Sequence, residues 1–151
     1  SEAASHSYNH PKLTKLKGDN LLFQLNRTTE LVQELTGWQV TIKHFRPPYG
    51  ASNALVKENS AYPLIMWGID TMDWKTLDPV QTVDNTMASV KDGAIVLMHD
   101  IHAETVTAVE ALLPKLIEAG YQLVSVDEML NAKGVEAYND QRVYSAYDIK
   151  D

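Results

Sequence analysis

Two histidines near the N-terminus, His6 and His10 in the stretch HSYNH, have the residue type and spacing to bind a metal ion. Neutral imidazole nitrogens are good zinc ligands, but a catalytic zinc usually takes three protein ligands and a water molecule. Pro11 disfavours a helix through His10, although a turn that leaves a strand could still bring the two rings together. The pair predicts half of a metal site, and the alternative is two unconnected surface histidines.

Two further motifs combine polar side chains with turn residues. Arg46 opens the stretch RPPYG, where two prolines and a glycine predict a rigid turn that could direct Arg46 and a backbone N–H inward. The alternative is a plain structural turn with a solvated arginine. The stretch DTMDW places Asp70 and Asp73 beside Trp74. A carboxylate there could cap a helix, bind a metal or hold a histidine in its charged form.

A fourth motif, LMHD, places His99 directly after the apolar run AIVLM. A histidine at the end of a buried strand could act as a general acid whose pKa a nearby carboxylate raises. The alternative is a hydrogen-bonded core histidine. His44 and His102 have no comparable context, and we predict no catalytic role for them.

The elements that must position these residues alternate between short apolar runs and amphipathic segments. Strands are predicted at 41–45, 63–69, 94–98 and 121–126. One helix has Leu21, Leu25, Val32 and Leu35 at helical spacing and ends at Gly37. A second begins with Asp78 as N-cap and Pro79, with Val80, Val83, Met87 and Val90 facing inward; a third spans 104–119, where Pro114 should bend it.

This order of elements predicts a mostly parallel α/β fold. His6, Arg46, Asp70 and His99 each fall at or just beyond the C-terminal end of a predicted strand. That edge carries the active site in parallel α/β folds. We therefore expect the four motifs to share one rim.

Composition narrows the possible functions. A chain of 151 residues is the size of one domain, and its net charge of -7 argues against a nucleic-acid surface. The absence of cysteine excludes thiolate metal sites and a cysteine nucleophile. No run is long and apolar enough to span a membrane, and the opening SEAASHS without Met is typical of a trimmed product.

The four motifs in this order resemble the polysaccharide deacetylases of carbohydrate esterase family 4, the NodB-homology domain. HSYNH matches the family's zinc motif, and RPPYG, DTMDW and LMHD match three further motifs, while the stretch from His99 to Leu130 resembles the family's final helix and strand. The resemblance implies a distorted (β/α) barrel. We expect residues 1–133 to be the C-terminal part of such a catalytic domain, incomplete at its N-terminal end, and residues 134–151 to be an irregular tail.

The resemblance also implies roles for individual residues. His6 and His10 would bind zinc, or another divalent metal such as cobalt, and Tyr49 would stabilise the oxyanion through its backbone N–H. The implied catalytic residues are His99 as the general acid, Asp73 as its partner and Arg46 as the residue that orients a catalytic aspartate. Trp74 and Leu97 would form the wall of the acetyl pocket. The family's first motif, an Asp-Asp pair that supplies the base and the third ligand, is absent here, because no aspartate precedes His6.

The family reaction removes acetyl groups from N-acetylglucosamine residues of a polysaccharide and releases acetate. Peptidoglycan is favoured over chitin or xylan because SHSYNHPKL and HDIHAETV resemble the bacterial cell-wall enzymes, and the same analogy implies an extracellular or cell-surface location. We expect the missing Asp-Asp segment to be a partner of this chain. The alternatives are a non-catalytic glycan-binding remnant of the same fold and, less favoured, a cytosolic deacetylase of small amides.

Overall fold

The computed structural model describes all 151 residues as six α-helices, five short β-strands and two 3₁₀ turns. The helices are α1 Gly18–Thr36, α2 Ala54–Asn59, α3 Asp73–Thr76, α4 Pro79–Ser89, α5 Ala103–Glu118 and α6 Val126–Ala132. The strands are β1 Leu64–Ile65, β2 Ile69–Asp70, β3 Val96–Leu97, β4 Arg142–Ser145 and β5 Asp148–Lys150. The 3₁₀ turns are Leu13–Lys15 and Pro48–Gly50.

Parallel pairings bring the C-terminal ends of distant segments to one side of the molecule. Single parallel bridges join Ser5 to Phe45 and Phe45 to Leu64, and β1 continues the series by pairing in parallel with β4. A second parallel pair is formed by β2 and β3. His6 and Arg46 therefore follow bridged residues directly, and Asp70 ends β2, as the parallel α/β prediction required.

The helix ends have local causes that were visible in the sequence. Gly37 adopts φ 57° and closes α1 in the left-handed conformation that glycine tolerates best. The Asp78 side chain accepts hydrogen bonds from the backbone N–H groups of Val80 (2.8 Å) and Gln81 (3.1 Å), which caps α4.

Three apolar clusters form the core. In the first, α1 packs through Leu21 and Leu25 against Leu13, Phe45, Val56 and Leu64. In another cluster, Val83 of α4 packs against Ala108, Leu112 and Leu116 of α5.

The prediction that Val80 faces inward was wrong: as the second residue of α4, its side chain is 67% exposed. Leu35 is likewise exposed near the end of α1.

The predicted strand at 121–126 is absent. Residues 121–125 have no ladder partner, Leu123 and Val124 are about half-exposed, and α6 begins at Val126. The sequence also contains the reason, since the Ser125 side chain accepts from the Glu128 backbone N–H while Glu128 accepts from the Ser125 backbone N–H. This capping box starts a helix where the apolar run predicted a strand.

The predicted irregular tail, residues 134–151, is irregular only in its first part: residues 135–138 have no regular structure, whereas β4 and β5 form an ordered hairpin. Val143 is fully buried in the second core cluster with Ile65 and Ile95, and β4 pairs in parallel with β1. The predicted strand 63–69 is divided into β1 and β2, and 41–45 contributes only the bridge at Phe45.

No helix in this chain combines the length and the apolar character that crossing a membrane would require.

Candidate active site

One cavity of about 1300 Å³ gathers the motifs predicted from the sequence. Seven of the eight predicted site residues line it: His6, His10, Arg46, Tyr49, Trp74, Leu97 and His99. The eighth, Asp73, is only 1% exposed and is hydrogen-bonded to His99. The expectation of one shared rim is met by the geometry, whereas the role of each residue remains a prediction.

The two histidines of HSYNH lie side by side. Their ring centroids are 4.9 Å apart in an edge-on arrangement. His6 Nδ1 lies 2.6 Å from the Arg46 carbonyl oxygen, and since a carbonyl only accepts, the Nδ1–H must donate. This contact fixes the tautomer and leaves Nε2 with a free lone pair, as in histidines that bind metals.

The protonation state of the His6 ring also suits a metal ligand. Burial is the largest influence and lowers the pKa of His6, against a smaller opposing effect of its hydrogen bond to the Arg46 carbonyl. The nearby His10 and Arg46 lower it further. His6 is therefore held neutral to a lower pH than a solvated histidine, and a neutral imidazole is the metal-binding form.

The residues gathered here fit two positions of a metal site. No group of three or more His, Cys, Asp or Glu side chains in the chain could hold an ion. His6 and His10 could supply two nitrogen ligands of the kind that zinc and cobalt accept, and no carboxylate forms a group of three with them.

Arg46 lies beside this pair without an acidic partner. Its Nε and Nη2 donate to the carbonyl oxygens of Ile65 and Met66, both at 3.2 Å, and its guanidinium lies 5.9 Å from the centre of the Trp67 ring. Burial lowers the pKa of Arg46, yet a guanidinium remains charged at neutral pH. None of the ion pairs in the chain includes Arg46, so its positive charge is available to an anion in the cavity.

The turn after Arg46 is built for one backbone conformation. Tyr49 adopts φ 61° and ψ 13°, and its ring packs edge-on against His10 at 4.7 Å. The backbone N–H groups of Gly50 and Ala51 donate to the carbonyls of Pro47 and Pro48, whereas the Tyr49 N–H makes no such bond. A free N–H in a constrained turn at a cavity is the feature expected of an oxyanion donor.

The fourth motif forms a histidine–aspartate pair. His99 Nδ1 lies 2.9 Å from Asp73 Oδ1, and the His99 backbone N–H donates to Asp73 Oδ2 at 2.6 Å. Thr105 donates to the same Oδ2 at 2.8 Å. Burial raises the pKa of Asp73, but these three donors and the Trp74 backbone N–H together outweigh it and hold the pKa below its ordinary value. Asp73 is thus an ionised partner for the His99 ring.

Trp74 and Leu97 lie on the apolar part of the cavity. The Trp74 indole N–H donates to Asp70 Oδ1 at 3.4 Å, and Asp70 Oδ1 also accepts the Met72 N–H at 2.9 Å. Leu97 is 7% exposed at the end of β3. Both residues line the cavity, and their predicted role as the wall of an acetyl pocket stays a prediction.

Sequence reasoning missed several supporting residues. Thr105 on α5 completes the hydrogen bonding of Asp73, and Gln24 and Thr28 on α1 contact the HSYNH loop. His44 also lines the cavity, where its Nδ1 contacts the Glu2 carboxylate. The available signal was a polar residue on an inward helix face, as at Gln24 between Leu21 and Leu25.

The fold and the four motifs define a class of protein, and comparison with known proteins identifies the same class. Residues 1–63 match the family model described as polysaccharide deacetylase. The chain superposes on the solved structure of the T48 deacetylase with substrate at a TM-score of 0.88, with 37% identity, covering 94% of this chain and 69% of that one. The chain belongs to the polysaccharide deacetylase family, carbohydrate esterase family 4.

Two further relatives show the range of activities within this class. The peptidoglycan-N-acetylglucosamine deacetylase PgdA of Listeria monocytogenes is 40% identical over 132 residues, which are 87% of this chain and 28% of that protein. The chain thus spans less than a third of that curated relative. A family pseudoenzyme from Bacillus anthracis, BA3943, is 32% identical with a TM-score of 0.75, covering 83% of this chain and 45% of that one. A mutant of BA3943 has restored enzymatic activity.

Proposed function

We propose that this chain supplies the metal-binding histidines and the general acid of a zinc- or cobalt-dependent deacetylase. Its substrate would be N-acetylglucosamine residues of peptidoglycan, from which the reaction releases acetate. The observation that carries the proposal is the joint placement of the His6–His10 pair and the His99–Asp73 pair at one cavity. Peptidoglycan is supported by the similarity to the Listeria enzyme, and a peptidoglycan substrate implies action outside the cell membrane.

The protein's own residues would divide the work as follows. When bound, the metal ion supplies Lewis acidity to the acetamide carbonyl and lowers the pKa of a bound water. The Tyr49 N–H donates to the carbonyl oxygen as negative charge develops on it. His99, whose ring the Asp73 carboxylate holds in place, gives a proton to the amine nitrogen as the C–N bond breaks. Trp74 and Leu97 hold the acetyl methyl.

The remaining requirement is a carboxylate base and third ligand. No carboxylate completes a group of three potential metal ligands with His6 and His10, and Arg46 beside them makes no ion pair. Both observations support completion of the site by a segment with the family's Asp-Asp motif. Arg46 would orient one of these carboxylates through an ion pair.

The decisive experiment is an acetate-release assay on N-acetylglucosamine oligomers and on peptidoglycan, with added Zn²⁺ or Co²⁺. The chain is assayed alone and when produced together with a separate segment that carries the family's Asp-Asp motif. We expect acetate only from the completed form and only with metal. No acetate from either form would contradict the proposal.

The pseudoenzyme relative supports a second candidate, a non-catalytic glycan-binding module. The acetate-release assay described above also distinguishes this glycan-binding module from the proposed deacetylase. A module would bind the glycan, measured by pull-down on insoluble peptidoglycan, and would release no acetate from the completed form.

A further inference from the structure

Helix α1 supports the HSYNH loop through two side chains one turn apart. Gln24 Oε1 accepts the backbone N–H groups of Tyr8 and Asn9, both at 3.2 Å. Thr28 Oγ1 donates to the Ser7 carbonyl oxygen at 2.7 Å. Because residues four apart share a helix face, the two side chains form one polar support beneath the loop.

The chemistry of the Gln24 contact is unambiguous. Two N–H groups approach the same atom, so that atom must be the amide oxygen, since nitrogen could not accept them. Gln24 is only 7% exposed, so water cannot readily take its place. A buried amide group that serves two backbone donors is costly to remove.

The loop needs this support because its backbone is constrained. Ser7 and His10 adopt φ values of 68° and 62°, which disfavour residues other than glycine. The N–H groups of Tyr8, Asn9 and His10 make no backbone hydrogen bond. All three depend on side-chain acceptors, namely Gln24 twice and Ser7 Oγ at 3.0 Å for His10. Strained backbone of this kind persists only where its surroundings hold it.

We propose that Gln24 and Thr28 are positioning residues that hold the HSYNH loop in the conformation that brings the His6 and His10 rings together. They act through the backbone of Ser7, Tyr8 and Asn9 and form no hydrogen bond with either imidazole. The expected effect of these two residues on metal affinity rests on the proposed function. Their expected effect on the backbone conformation of the HSYNH loop does not depend on it.

The first test is amide hydrogen exchange in the metal-free chain. Gln24→Met removes the acceptor while keeping length and apolar volume, and Gln33→Met makes the same change on α1 at a residue without a side-chain hydrogen bond to the loop. We expect Gln24→Met to accelerate exchange at Tyr8 and Asn9 by about tenfold. Gln33→Met should leave both amides unchanged, and Gln24→Glu, which retains an acceptor, should keep them protected. Equal exchange in Gln24→Met and wild type, or equal acceleration in Gln33→Met, would overturn the inference.

The second test is the Zn²⁺ affinity of the form completed by an Asp-Asp segment, measured by competition with a chromophoric chelator for wild type and for each variant. Removing a residue that positions the metal ligands without binding the metal weakens metal affinity by roughly tenfold to a hundredfold. We expect a loss of affinity of this size in Gln24→Met and none in Gln33→Met. Thr28→Val, which lacks the donor to the Ser7 carbonyl, should weaken Zn²⁺ binding in the same direction. Unaltered affinity in Gln24→Met would overturn the positioning role. Failure of wild type itself to bind Zn²⁺ would contradict the proposed function, and the exchange test would still decide the inference.

Discussion

At the scale of single residues, Asp73 shows how one buried carboxylate can organise a site. It accepts from the His99 ring, the His99 backbone and Thr105 while being almost fully buried. A buried charge is tolerated only when its hydrogen bonds are satisfied, and this carboxylate has three donors. Asp73 therefore connects the segment after β3, the first turn of α5 and the His99 ring.

The depressed pKa of Asp73 predicts a pH dependence of stability. In the folded protein this pKa lies below its unfolded value, which is about 3.9. The stabilising contribution is therefore present above that unfolded value and is lost as the pH falls through the folded-state pKa. Asp73→Asn should lower the free energy of unfolding at pH 7 by about 1–3 kcal/mol.

Urea unfolding between pH 7 and pH 3 measures this directly. The difference between wild type and Asp73→Asn should stay constant down to about pH 4 and shrink below it, because protonation of Asp73 removes the charge that its hydrogen bonds stabilise. A difference that stayed constant down to pH 3 would show that folding does not lower the pKa of Asp73.

The residue types that carry chemistry were the most predictable part of the molecule. Seven of the eight predicted site residues line one cavity. His6 and Arg46 directly follow residues that pair in parallel, and Leu97 ends the parallel strand β3, as the predicted α/β order indicated. Gln24 and Thr105 could not be found in this way. Their importance depends on which loop or carboxylate they contact, and helical periodicity does not reveal that partner.

At the scale of elements, the RPPYG turn depends on its glycine. Gly50 adopts φ 61°, and a Cβ there would lie 2.9 Å from Trp67 Cη2 and 3.1 Å from Met66 Cε. An alanine would therefore suffer both backbone strain and a steric clash. This turn presents Tyr49, and its Gly50 lies close to the Trp67 ring, whose centre is 5.9 Å from the Arg46 guanidinium.

Gly50→Ala should consequently destabilise the protein more than an alanine at a glycine with strain alone. Gly120 is the matched control, since it has φ 85° and a Cβ added there would have no other atom within 4 Å. We expect Gly120→Ala to cost about 1–2 kcal/mol and Gly50→Ala at least about 1 kcal/mol more, measured by urea unfolding. Equal losses would mean that Trp67 moves aside freely.

Helices were predicted better than strands for a physical reason. Helix ends have local signals, such as Asp78 before Pro79 and Gly37 after α1, and these signals worked. Strands of two residues are held by partners distant in sequence, so an apolar run alone could not separate β1 from β2. The run at 121–126 failed because the capping box of α6 outweighed its apolar character.

At the scale of the whole molecule, the C-terminal segment is part of the core. The Leu64 N–H donates to the Gln141 carbonyl at 2.9 Å and the Met66 N–H donates to the Val143 carbonyl at 2.7 Å. Residues 141–145 thereby extend the same parallel series that places Phe45 and Arg46. Local sequence in this polar, tyrosine-bearing segment gave no sign of that long-range pairing.

A paired substitution distinguishes the predicted and observed roles of the two segments. Val143→Thr should cost about 1–3 kcal/mol in unfolding free energy, because it buries a hydroxyl at a fully buried position. Val124→Thr makes the same change at a residue 45% exposed and should stay within about 0.5 kcal/mol of wild type. The opposite order would support a core strand at 121–126 and a peripheral tail.

The measurement that tests the central claim most directly is acetate release and bound metal in the same samples of the completed protein and its His99→Ala variant. If His99 is the general acid and His6 and His10 hold the metal, His99→Ala should lose at least about a hundredfold in turnover while its metal content equals that of wild type. Turnover that survives the substitution, or metal that is lost with it, would contradict the division of roles between the two histidine groups.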